Sequence, residues 1–125
     1  MVKELKTTEA PAAIGPYSQA MIVDDFLFAS GQIPVDPATG NVADNIEGQA
    51  EQSLKNVGAI LKANGMDFKN VFKTTCFLSD MANFAKFNEV YAKYFKEDPK
   101  PARSCVAVKE IPKGCLCEVE VIAKK

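Results

Sequence analysis

Two helix-period apolar stripes and a last strand that is apolar on both faces constrain this chain most tightly. The first stripe is Ile46, Ala50, Leu54, Val57 and Leu61, spaced as one side of an α-helix. Asp44 with Glu47 forms a capping-box pattern ahead of it, and Asn64-Gly65 supplies a stop. The second stripe, Phe84, Phe87, Tyr91, Tyr94 and Phe95, follows a capping Asp80 and ends before Pro99 and Pro101. In residues 115–123, Cys115, Cys117, Val119 and Val121 alternate with Leu116, Glu118, Glu120 and Ile122, so neither strand face is purely polar. A helix layer hides only one of those faces. The other, apolar with isolated carboxylates, calls for burial against another copy of the chain. A half-exposed strand with incidental leucine and isoleucine is the plainer alternative.

The other segments complete an α+β pattern. Residues 2–7 read as a short edge strand, and the prolines and glycine of Ala10-Pro11-Ala12-Ala13-Ile14-Gly15-Pro16 enforce a loop. Met21-Ile22-Val23 and Phe26-Leu27-Phe28-Ala29-Ser30 flank Asp24-Asp25 as the arms of a hairpin. Residues 71–79 read as a strand with Phe72, Thr74, Cys76 and Leu78 on one face, and residues 103–108 as another. The expected architecture is one domain over residues 1–125, with two helices packed on one face of a mixed sheet.

Bulk properties remove whole classes of function. Fifteen basic against sixteen acidic residues leave a net charge of -1, without the basic footprint that nucleic acid requires. No apolar run approaches a membrane span, and the lysines and glutamates of residues 1–10 are unlike a secretory or transit leader, which makes the cytoplasm the expected compartment. There is no histidine, and Cys76, Cys105, Cys115 and Cys117 contain no C-x-x-C pair. Neither a metal site nor a structural disulfide is expected.

What remains is polar groups in unusual places. Arg103 opens a strand on the same face as Cys105 and Ala107, where a guanidinium needs a partner: a structural salt bridge or a bidentate carboxylate. Asn88 lies on the aromatic stripe of the second helix and either pins a loop or binds a ligand. Glu118 lies on a partly buried face, where a carboxylate with a raised pKa could act as acid or base, or merely block edge aggregation. Tyr17 and Ser18 follow Gly15-Pro16 on a loop, where tyrosine serves packing as often as binding.

Four segments carry a family resemblance: Gly15-Pro16-Tyr17-Ser18-Gln19-Ala20, Ser30-Gly31-Gln32-Ile33-Pro34, Pro101-Ala102-Arg103-Ser104-Cys105-Val106 and Glu118-Val119-Glu120-Val121-Ile122-Ala123. Their order and spacing resemble the reactive intermediate deaminases of the RidA or YjgF type. The resemblance implies a chorismate-mutase-like fold, a homotrimer with sites in the clefts between subunits, and hydrolysis of 2-aminoacrylate and related enamine or imine acids to 2-keto acids and ammonia, without a cofactor. It also implies that Arg103 binds the substrate carboxylate, that Glu118 places the water, and that Tyr17, Ser30, Gly31, Asn88 and Cys105 line the site. Lysine in the short Glu97-Asp98-Pro99-Lys100 stretch, and Cys117 in place of an aliphatic residue, depart from the family pattern. A non-enzymatic keto-acid sensor or protein-binding module is the main alternative, and ribonuclease activity a distant third.

Overall fold

The hairpin closes where Asp24 takes a left-handed backbone, φ 53°, which a short polar side chain tolerates. In the computed structural model, which describes residues 1–125, β2 (Ala20–Val23) and β3 (Phe26–Ala29) form its arms. β1 (Val2–Leu5) extends it at the edge. The chain then forms α1 (Ile46–Ala63), β4 (Val71–Leu78), α2 (Phe84–Tyr94), β5 (Ala102–Ala107) and β6 (Cys117–Lys124). The sheet order is β1-β2-β3-β6-β4-β5, antiparallel except for the β4–β5 pair, which α2 connects. A parallel pair needs such a crossover because its strands run the same way.

Both helices lie on one face of this mixed sheet, as expected. Leu54, Val57, Ile60 and Leu61 of α1 and Phe87 of α2 are fully buried with Leu27, Leu78, Val119 and Val121 from the strands. The opposite face has no helix over it and exposes Phe28, Phe72 and Val106.

Three local expectations need correction. The cap of α1 is Asn45, whose Oδ1 accepts from Gly48 N at 2.7 Å, rather than Asp44. The third helical position is therefore Gly48, and Glu47 contributes its charge near the positive end of the helix and an exposed 4.0 Å ion pair with Lys86 of α2. Asp80 caps a separate 3-10 turn, Met81–Asn83, from which α2 continues at Phe84. Phe72 does not share a face with Thr74, Cys76 and Leu78. A bulge between Val71 and Lys73 breaks the alternation, burying Val71 and leaving Phe72 45% exposed.

Candidate active site

Arg103 sits on β5, paired in register with Thr74 of β4, so its side chain projects toward the helices. Its guanidinium lies 4.7 Å from the Tyr91 ring centre and 5.5 Å from that of Phe84. Tyr91 is itself held by a 2.8 Å hydrogen bond between its hydroxyl and Thr74 Oγ1. Arg103 Nη1 donates to Asn88 Oδ1 at 2.7 Å, which explains the amide on an aromatic stripe. No carboxylate pairs with Arg103 in any ion pair of the chain. With five donors and one amide acceptor, the fork keeps the donors that a carboxylate would take. Cation–π contact with two rings restricts where it can lie.

Cys105 lies two residues along the same face, beside Cys76. Burial pushes the Cys105 thiol up, and the nearby Arg103 charge offsets this only in part. Burial also drives Cys76 up, to about 12. A thiol held neutral in this way is a poor nucleophile. Nowhere do three or more Cys, Asp or Glu side chains converge as metal ligands.

Glu118 belongs to the other face of the sheet. On β6 it is paired with Phe77, three residues along β4 from Thr74, and its side chain therefore points away from the helices. Burial raises its pKa, and the neighbouring Glu120 charge raises it further. It lines a cleft of about 670 Å³ together with Ile14, Tyr17, Ser30, Gly31 and Lys113. The wall is built by hydrogen bonds that bypass regular structure. Ser30 Oγ donates to Ser18 O at 2.6 Å, Ser30 N to Gln19 O at 2.9 Å, and Gln32 N to Val119 O at 2.7 Å.

The structure thus gathers the candidates into two groups. Arg103, Asn88 and Cys105 form one, on the helix side of β5; Tyr17, Ser30, Gly31 and Glu118 form the other, on the open side of β6. β4 lies between the two strands. Two strand spacings and an offset of three residues put the Arg103 and Glu118 backbones about 14 Å apart, with side chains on opposite faces. A three- or four-carbon acid cannot touch both within one chain.

Two positioning groups escape sequence reasoning. Gln19 donates through Nε2 to the carbonyls of Thr7, Ala10 and Pro11 and accepts from Thr7 N, fastening the proline-rich loop that leads to Tyr17. Gln32 donates to Ser30 O at 3.1 Å. The one available signal was that a loop without regular structure needs partners for its backbone groups. Phe84 and Tyr91 were legible as core but not as a platform for arginine.

The model of the family described as Endoribonuclease L-PSP matches residues 7–125. The chain is 49% identical to the mouse 2-iminobutanoate/2-iminopropanoate deaminase, covering 97% of this chain and 90% of that protein. It is 52% identical to AldR of Lactococcus lactis, provisionally named a regulator, over 98% of each. Among solved structures, Escherichia coli TdcF with bound serine superposes with a TM-score of 0.93 at 43% identity, over 98% of both chains.

Proposed function

The chain belongs to the YjgF/RidA family with its chorismate-mutase-like fold, and from that premise we propose that it hydrolyses 2-enamine and 2-imine acids, such as 2-aminoacrylate, to 2-keto acids and ammonia. The observation that carries this reading is the Arg103 guanidinium, set over the rings of Tyr91 and Phe84, steadied by Asn88, and free of any carboxylate partner. It is built to receive a substrate carboxylate. The carboxylate name of the mouse relative's substrates and the serine bound to TdcF fit the same receptor.

In the proposed reaction the substrate's carboxylate pairs with Arg103, holding the imine carbon in place. A water attacks that carbon as Glu118 takes its proton, and the proton passes to nitrogen. The resulting carbinolamine collapses to the keto acid as its hydroxyl proton passes to nitrogen, which leaves as ammonia. An enamine first gains a proton on its terminal carbon and gives one up from nitrogen, becoming the imine. Positioning and proton transfer suffice because the substrate is already electrophilic.

The site is proposed to form between copies of the chain, in a homotrimer, with the Arg103 group of one subunit facing the Glu118 group of the next. The opposite-face placement of the two groups supports this, as does the uncovered apolar face bearing Phe28, Phe72 and Val106. No helix is long and apolar enough to cross a membrane, and the cytoplasm is the proposed compartment.

The test generates 2-aminoacrylate with a pyridoxal-phosphate dehydratase and follows 2-keto acid release; added protein should accelerate it. The regulator name of AldR favours a second reading, a sensor of keto acids. Keto-acid binding without any acceleration would establish that alternative. Ribonuclease activity, the sense of the family description, is not expected from a chain of net charge -1 without histidine.

A further inference from the structure

Gly31 is not in the left-handed backbone region that Gly15, Gly40, Gly65 and Gly114 occupy, so its conformation does not demand glycine. Space does. A Cβ placed on Gly31 would collide with Glu118 Oε2 and lie 2.8 Å from its Cδ and 3.0 Å from its Cγ. We infer that Gly31 is a positioning residue for Glu118: its bare α-carbon is the surface against which the carboxylate is set. This rests on the proposed role of Glu118 and differs from a lining role for Gly31 against substrate.

The backbone around Gly31 is in no position to yield. Ser30 is tied through its amide to Gln19 O and through its hydroxyl to Ser18 O. Gln32 exchanges two hydrogen bonds with Val119, the residue next to Glu118. Gln32 thus fixes the segment to β6 on one side of the contact, and Ser30 fixes it to the Ser18-Gln19 segment on the other. An added methyl group is accommodated by rotating the glutamate, and the carboxylate leaves its place while the fold stays.

The experiment is a double-mutant cycle in the dehydratase-coupled assay, using Gly31→Ala, Glu118→Gln and the pair. Gly31→Ala should lower kcat by roughly 10²-fold, the effect of misplacing a reacting group by about 1 Å, with affinity for a 2-keto acid near wild type. In the Glu118→Gln background the same change should lower kcat no further. The acid limb of the kcat/KM profile should also move to lower pH in Gly31→Ala, as the displaced carboxylate meets water. A wild-type kcat in Gly31→Ala, or an equal loss in both backgrounds, overturns the inference; full turnover in Glu118→Gln instead overturns the role of Glu118 on which it rests. If Gly31→Ala does not fold, Glu118→Ala must restore folding by removing every colliding atom, and failure to do so also refutes the contact.

Discussion

Arg103 and Glu118 differ in the physics assigned to them, and their variants should differ accordingly. Arg103→Ala removes charge and fork, and loss of one partner from a buried charged pair costs about 2 to 5 kcal/mol. Calorimetric affinity for a 2-keto acid should fall by roughly 30-fold or more, with Arg103→Lys intermediate because it keeps only the charge. Glu118→Gln keeps the shape but loses the proton acceptor, so turnover should fall by about 10² to 10⁴ with affinity retained. Unchanged binding in Arg103→Ala would reduce the arginine to a strut. The raised Glu118 pKa has two consequences for pH dependence. As a base it must be ionised, so the acid limb of kcat/KM should lie above the ordinary carboxylate range, and Glu120→Gln should shift it down by removing a like charge. Between the ordinary and the raised value the native state holds the proton that the unfolded state has lost. Stability from this group therefore declines as pH rises through that window, and Glu118→Gln should remove that part of the slope in thermal melts taken across pH. The type and burial of both residues were legible in the sequence; the absence of a carboxylate beside Arg103 was not, because it depends on every element packed around the guanidinium.

At the scale of elements, short-range patterns located each helix and strand, and errors arose where one residue's register mattered. Asp44 and Asn45 are both good caps, and the acidic residue at Glu47 favoured the wrong one. The structure places the cap hydrogen bond on Asn45 Oδ1. Asn45→Ala should thus destabilise the protein by about 1 kcal/mol in denaturant unfolding, while Asp44→Ala should have a far smaller effect. Equal losses would return the cap to Asp44. The bulge after Val71 was likewise invisible, since an inserted residue reverses the facing of Phe72 without changing composition.

For the whole molecule, the proposed assembly predicts a particle of about three times the 13.6 kDa chain in light scattering. It also predicts complementation. Arg103→Ala and Glu118→Gln chains, each impaired alone, should regain activity when denatured together and refolded, because about a quarter of sites then draw an intact arginine and an intact glutamate from different subunits. If mixing restores nothing while the trimer forms, Arg103 and Glu118 do not share a site between subunits. The sequence by itself determined the order of elements, the inward and outward alternation of β6, and the opposite demands on its two faces. These follow from periodicity within a few residues, which side-chain geometry imposes locally. Only the tertiary structure decided that β6 inserts between β3 and β4, which brings Gly31 onto Glu118, and that α2 lays Phe84, Asn88 and Tyr91 against Arg103. Strand order is set by how the buried faces of distant segments fit together, a property of the packed whole that no local pattern contains.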